Sequence, residues 1–485
     1  MMSFLSIVSS VFLSIVLVLI LHRQARAKLP PGPRALPCIG NLFQMPRHDV
    51  ARSFTRWKDI YGDIFYLHVL GREFIILNSA KHVLELFDQR GAFYSDRPHL
   101  VMAGDLVGKN KAVLFHPYGE ELKRHRKLLR NALEPRRCRE YWTMIDTEMR
   151  KLMVSMLECP EDFAAHIRRN AGAITLRLAY GYQVPSGSGD DRFITLAEEL
   201  ARITGEATKP GRWLVDSLPW LRYMPSFLPG AGFKRWAQSA RKTIEEFSFA
   251  PYDFAKTRVA SGEALPSFVT ESIELLTAET AAPLSKEDDE LLMWTAASIY
   301  SGGTDTEVAT GTAFVLYMAL YPDIQRKAQL EIDTVVGRDR LPTMEDKPHL
   351  PYVEALLKEI YRFNPVAPLI PHTTLTEDSY QGYRIPKGSW IMANTWALMH
   401  DPDIFPSPHR FWPERFLGTD DCCLADPRDY AFGFGRRRCP GITVAETTLF
   451  LMVTSILSIF SISPREGDRA LEELRSVRFK DGHIS

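Results

Sequence analysis

The ten residues Phe432-Gly-Phe-Gly-Arg-Arg-Arg-Cys-Pro-Gly441 restrict this chain of 485 residues more than any other stretch. Glycines at 433, 435 and 441 leave the backbone around Cys439 bare, so a flat ligand is able to approach the sulfur closely. The apolar run 442–460 reads as a helix that begins directly after the cysteine. The N-terminus of that helix and the preceding arginines both favour S⁻ over SH. Arg437 carries the forked donor geometry that grips a carboxylate. This is the setting an axial thiolate needs. A lone Cys-Pro-Gly is more often a simple turn, and only the whole pattern argues for a ligand.

Residues 288–320 form a second constraint, an apolar periodic run that spans roughly 50 Å if fully helical. Its middle is Ser301-Gly-Gly-Thr-Asp-Thr306. Two glycines inside a helix cost about 1 kcal/mol each relative to alanine, so the helix is expected to open or bend there and leave space over a ligand face. The alternative is a glycine pair used for close helix packing. In the helical run 350–363, Glu359-Ile-Tyr-Arg362 places a carboxylate and a guanidinium on one face. Taken alone, such a pair is usually a surface ion pair worth little.

Further helices are expected at 323–336 and 442–460. Strands at 64–70 and 73–78 should form a hairpin around Gly71-Arg72, and 380–383 should pair with 390–394 across Pro386-Lys387-Gly388. The predicted body is mainly α with a minor β part, an α+β arrangement. No repeat and no shift in composition divides residues 40–485, so one large domain is expected.

Phe432, Gly435, Arg437, Cys439 and Gly441 match the pattern FxxGxRxCxG, and the chain resembles a cytochrome P-450, a haem-thiolate monooxygenase. The resemblance implies a single large cytochrome P-450 fold and haem b with axial thiolate Cys439. Glu359 and Arg362 are similar to the family's ExxR, and Phe411-Trp-Pro-Glu-Arg-Phe416 to its partner segment, which implies a structural Glu359–Arg362–Arg415 cluster. Asp305 and Thr306 resemble the acid–alcohol pair, in which the Thr hydroxyl hydrogen-bonds bound dioxygen and the Asp relays protons. Glu307 stands where relatives often carry a second Thr. Tyr118–Arg126 resembles the helix whose Trp and Arg hold a haem propionate. Leu122 replaces the Trp, which leaves Arg126 and His125 as donors, and His372 matches a further propionate contact.

The balance of 59 Lys+Arg against 59 Asp+Glu gives no global basic field, so no nucleic-acid partner is expected. Six cysteines with no CxxC spacing describe neither a disulfide framework nor a zinc site. Lys123, Arg124, Lys127, Arg130, Arg436 and Arg438 form a local basic set. Such a run is commonly a solvated helix face, and the resemblance implies docking of an acidic NADPH-dependent flavoprotein reductase. No G-x-G-x-x-G follows a strand, so electrons should come from that separate protein.

Residues 4–21 are uncharged and mostly apolar, about 27 Å as a helix and just able to span a bilayer. His22, Arg23, Arg26 and Lys28 follow and should stay in the cytosol. The expected organisation is an anchor and basic flank at 1–28, a proline strap at 29–40 and the haem domain at 41–485. The expected location is the endoplasmic reticulum membrane, single-pass, with the catalytic domain cytosolic. An uncleaved interfacial helix or a signal peptide is the alternative for the anchor. The strand pattern Val477-Arg-Phe479 has no return strand after Asp481-Gly482, so the C-terminal hairpin is read as truncated.

Residues 212–230 hold Trp213, Leu214, Trp220, Leu221, Tyr223, Phe227 and Leu228, either core packing or a loop that dips into a membrane. By family position Met293, Ala296, Ala297, Val366, Ala367, Leu369 and Ile370 should line an apolar pocket, which suits a terpenoid or polyketide-like substrate. The motif style around 390–400 and 411–416 resembles fungal natural-product members. The expected reaction inserts one oxygen atom from O2. A reductase-independent isomerase or dehydratase and a non-catalytic haem or lipid binder are the competing readings, and the Asp305-Thr306 pair argues against the isomerase.

Overall fold

The computed structural model describes residues 28–185, 191–280, 282–418 and 424–464. The expected anchor at 4–21 and the strand at 477–479 lie outside them. Numbering only the longer helices, the order is α1 (Val50–Tyr61), α2 (Glu120–Leu133), α3 (Trp142–Glu158), α4 (Phe163–Tyr180), α5 (Arg192–Thr208) and α6 (Gly232–Ser261). Then come α7 (Phe268–Thr280), α8 (Lys286–Leu320), α9 (Pro322–Val335), α10 (Pro351–Phe363) and α11 (Ile442–Ile459).

Helix α8 is the axis of the body, 35 residues long. It begins where sequence chemistry says it should. The Ser285 hydroxyl accepts from the Asp288 amide, and Glu287, Asp288 and Asp289 place negative charge on the first turn. Leu292, Ala296, Tyr300, Phe314 and Met318 are buried along it. The ladder is not opened at Ser301-Gly-Gly, contrary to expectation: the helix runs unbroken from Lys286 to Leu320. The two glycines do different things. A Cβ on Gly303 would come within 2.5 Å of Thr175 Cγ2 on α4, so this glycine sets a close helix crossing. A Cβ on Gly302 would meet nothing within 4 Å, so that side of the helix borders open space.

Helix α11 is apolar and long enough to cross a membrane, yet 67% of it is buried inside the body, and it is a core helix. It lies beneath α8, α9 and α10 with Phe450, Val453 and Leu457 in the shared core.

The larger sheet has the order β1 (Ile64–Val69), β2 (Arg72–Leu77), β6 (Trp390–Ala393), β3 (Ile370–Thr373). β1 and β2 form the expected hairpin, although its turn is centred on Leu70 and Gly71, both at positive φ. The second expected hairpin is wrong. β4 (Asp378–Tyr380) pairs with β5 (Tyr383–Ile385) around Gln381-Gly382, a two-residue turn with φ of 52° and 78°. β6 instead runs parallel to β2 and antiparallel to β3. The Gln381-Gly382 pair was the hairpin signal, and Pro386-Lys387-Gly388 carries the chain to the other sheet, where Trp390 meets Phe74 edge-on at 5.2 Å.

The proline strap lies along β1. Pro31 O accepts from the Tyr66 amide at 2.8 Å, and a Cβ on Gly32 or Gly40 would collide with the carbonyls of Tyr66 and His68.

Candidate functional site

The cysteine loop is held by its own backbone and by α10. The Cys439 amide donates to Phe432 O at 2.8 Å, and Phe432 packs edge-on against Tyr361 with centroids 5.3 Å apart. Gly433 and Gly435 both have positive φ, and a Cβ on Gly435 would overlap Phe87 O. Only glycine fits position 435. A Cβ on Gly441 would lie 3.9 Å from Cys439 Sγ, which keeps the surroundings of the sulfur uncluttered. The Cys439 side chain is accessible to solvent, while the protein around it pushes its thiol pKa up. The sulfur is thus reached by solvent although protein surrounds it closely. The Gly441 amide and the charges of Arg126 and Arg438 pull the other way, towards the thiolate.

Four cationic or basic side chains converge beside this loop. Arg437 donates to Ser95 O and His116 O, both at 2.7 Å. Arg126 donates to Arg438 O at 2.8 Å. His372 is buried, its Nδ1 lies 2.7 Å from Tyr94 O, and its ring stacks on Phe87 at 4.0 Å. Arg97, which the sequence reading missed, donates to Pro371 O. Burial lowers all four pKa values, with Arg97 at about 10 and Arg437 at about 9; repulsion within the set adds to this at Arg97, His372 and Arg437, while at Arg126 the added repulsion comes from Arg130. Asp96 is the carboxylate whose field opposes this at Arg97 and Arg437. Arg97 Nε and His372 Nε2 are buried without a partner. Excess buried positive charge with orphaned nitrogens suits a ligand that brings more than one carboxylate, and haem brings two propionates.

His125 is not part of that set, contrary to expectation. It sits on the buried stripe of α2 with Leu122 and Leu129, and its Nδ1 lies 2.6 Å from the Thr295 hydroxyl of α8. Neighbouring helix positions point about 100° apart, and Arg126 alone takes the side facing Arg438. Leu122 fills the expected Trp position as a buried apolar residue.

Behind the loop, Arg362 grips Glu359 with two bonds of 2.8 Å, and Arg415 Nε lies 3.2 Å from Glu359 Oε2. All three side chains are almost fully buried. Their remaining donors hold Met399 O, Pro406 O, Ser407 O and Arg410 O, and Glu359 accepts from the Trp412 amide. The cluster thus fixes the segment 399–415 from within.

On α8, the Thr306 hydroxyl donates to Gly302 O at 2.8 Å, on the turn that borders open space. Asp305 has its pKa pushed up to about 6 by burial, against the pull of Lys109 and Arg168. Lys109, also missed by the sequence reading, is buried and pushed down to about 7. Of the expected pocket residues, Ala296 and Ala297 are packed into the core and Leu369 packs in the cluster of Phe54 and Phe65. The open side of α8 is at Gly302 and Thr306, about one and a half to three turns further on.

Glu307 faces α11. Burial pushes its pKa from 4.5 to about 8, opposed by a hydrogen bond with Thr448, and its Oε2 has no partner. Between those values the folded protein holds a proton that the unfolded chain has released, so stability should fall as pH rises, by up to about 1.4 kcal/mol per pH unit. Glu307→Gln keeps the shape without the titration. Thermal unfolding from about pH 5 to about pH 8 should show a smaller loss of stability in the variant than in the parent. Identical pH profiles would remove the buried neutral acid.

A mainly helical body with a glycine-cradled cysteine and a cationic cage for a dicarboxylate group has the plan of a haem-thiolate enzyme. The cytochrome P450 family model matches residues 30–479. The chain is 40% identical over 463 residues to cytochrome P450 monooxygenase claR of Ampulloclitocybe clavipes, covering 95% of this chain and 85% of that protein. It is 42% identical over 446 residues to cytochrome P450 monooxygenase COX1 of Coprinopsis cinerea, covering 90% and 85%. With cytochrome P450 monooxygenase 105 of Postia placenta the identity is 38% over 462 residues, covering 95% and 88%. The chain belongs to the cytochrome P450 family and is a P450 monooxygenase. The family implies a haem thiolate.

Proposed function

We propose that this chain binds haem b through Cys439 and inserts one atom of O2 into an apolar substrate, with NADPH-derived electrons delivered by a separate flavoprotein reductase. The observation that carries this reading is the buried cationic set around Arg97, Arg126, Arg437 and His372, with its orphaned nitrogens, beside a solvent-accessible cysteine. When bound, the haem supplies the iron and oxygen chemistry. The chain supplies the rest. Arg126, Arg438 and the Gly441 amide stabilise the negative sulfur, and the cationic set binds the propionates. Thr306 and Asp305 move protons beside the open turn of α8, Asp305 being tuned near neutral pH where it both takes and gives a proton. Glu359, Arg362 and Arg415 hold the supporting segment and touch no reacting atom.

The substrate class is a bulky apolar molecule, terpenoid or polyketide-like, held mainly by shape. Leu214, Trp220, Tyr223 and Phe227 are exposed on one connection, which supports contact of that connection with the endoplasmic reticulum membrane, to which a single-pass anchor at 1–28 would tether a cytosolic haem domain. Lys127 and Arg130 stand exposed for the reductase, whereas Lys123, Arg124 and Arg438 already pair with Glu120, Glu287 and Asp429.

The test measures NADPH use, peroxide and product with added reductase and a panel of apolar substrates. Thr306→Ala should keep its haem and its NADPH use, release more peroxide and lose product roughly 10²-fold. Full coupling in that variant would take Thr306 out of the reaction, and loss of haem would make its role structural.

A further inference from the structure

Away from Cys439, a second set of ligating atoms converges where the segment before α2 meets that helix. One ring nitrogen from each of His116 and His125 and a carboxylate oxygen of Glu121 lie within 4.8 Å of one another. Hydrogen-bond accounting decides which nitrogens these are. The Thr295 hydroxyl has one proton, which it donates to Leu291 O at 2.6 Å, so it must accept from His125 Nδ1, also at 2.6 Å. Nδ1 of His116 lies 3.0 Å from Pro117 O, which only accepts. Both rings therefore carry a proton on Nδ1, and both Nε2 atoms are left to face the cluster. His125 is 1% exposed, and its ring meets that of His116 with centroids 5.5 Å apart. His116 Nε2 lies 3.3 Å from Glu121 Oε2, so a cation, proton or metal, must stand between two atoms that would otherwise both be acceptors.

We propose that His116, Glu121 and His125 form a zinc site, with both imidazoles bound through Nε2, the Glu121 carboxylate as third ligand and water as fourth. The chemistry of the donor set favours zinc over harder ions, since two neutral imidazoles and one carboxylate are borderline ligands. The geometry is close to what zinc needs. Tetrahedral neighbours about 2.0–2.1 Å from the metal are roughly 3.3 Å apart, and the His116–Glu121 pair already has this spacing. The other separations are at most 4.8 Å, so closing on a metal needs a shift of the imidazoles as well as of the 63% exposed Glu121 side chain. Glu121 and His125 are four residues apart on α2 and share a face. Both outer hydrogen bonds, to Pro117 O and to Thr295, are of the kind that orients metal-bound histidines. Burial supports this by holding His125 neutral, its pKa pushed down to about 4. The positive charge of nearby Arg124 is offset by Glu287 and Asp288.

The site would tie two parts of the cationic cage together. Arg437 donates to His116 O, and Arg126 follows His125 directly on α2. Zinc is thus expected to stabilise the haem-loaded protein without touching the cysteine loop. The test is equilibrium dialysis of the haem-loaded full chain against buffered zinc chloride, with metal analysis and zinc-edge X-ray absorption. The expected result is about one zinc per chain with two imidazoles and a raised melting temperature, with affinity at least tenfold weaker in Glu121→Gln and in His116→Asn. Glu121 is on the surface, so its variant should fold. Absence of stoichiometric zinc, or binding unchanged in both variants, overturns the site.

Discussion

Cys439→Ser should abolish the thiolate-type Soret band of the reduced carbon-monoxide complex and leave little haem bound. The reasoning starts from what the other cysteines lack. Cys138 is buried with its thiol pKa pushed up to about 11 and its sulfur donating to Leu133 O. Cys159 stands beside Glu161 and Asp162, whose hydrogen bonds also push its pKa to about 11. Cys38 lies in the strap, exposed. Among the described cysteines only Cys439 has a helix start, two arginines and a backbone amide acting on its sulfur. Burial still raises its pKa and favours the neutral thiol, and a haem iron held there would favour the thiolate instead. A serine hydroxyl is far less acidic and gives no thiolate signature. The spectrum of the dithionite-reduced, carbon-monoxide-treated variant decides the matter, and an unchanged thiolate band there would sink the assignment.

The readable parts of this protein are those in which the chemistry is local in sequence. The loop 432–441 and the helix α11 follow from one continuous stretch, and Glu359 and Arg362 are one turn apart, so their pairing was expected from spacing alone. The cationic cage was only half visible. Arg97 has no local sign of its role, because what buries it is the pairing of Asp96 with Thr373, remote in the sequence. Lys109 was hidden for the same reason, being placed against α8 by the packing of its segment. His125 misled because a basic residue beside Arg126 looked like a second donor, while the helical turn of about 100° per residue gave it the buried side. The glycine pair showed the opposite difficulty: opening and close packing were posed as alternatives, and the helix stays closed, with Gly303 serving the close packing and Gly302 bordering open space. The missed strand pairing had a visible sign in Gln381-Gly382, a turn pair passed over in favour of the proline-containing connection.

Arg362→Ala should be the most damaging substitution away from the cysteine. Its spacing to Glu359 is the i,i+3 spacing of an ordinary helix pair, and the same spacing recurs at Asp323 and Arg326 on α9. Burial separates the two cases. The Arg326 pair is mostly exposed, at 74% and 78%, while Arg362 and Glu359 are both at 0%. Removing one partner of a buried pair leaves an uncompensated charge, and costs about 3–5 kcal/mol, a large part of the roughly 5–15 kcal/mol that holds a typical domain. Arg415 remains near Glu359 at 3.2 Å, but it cannot also supply the bond from Arg362 to Met399 O. Arg362→Lys keeps the charge without the fork, so it should fall between the parent and the alanine variant. Haem content per chain and melting temperature should therefore rank parent, then Arg362→Lys, then Arg362→Ala, with Arg326→Ala indistinguishable from the parent. If Arg362→Ala holds haem and melts like Arg326→Ala, the buried cluster does not support the segment that carries the site.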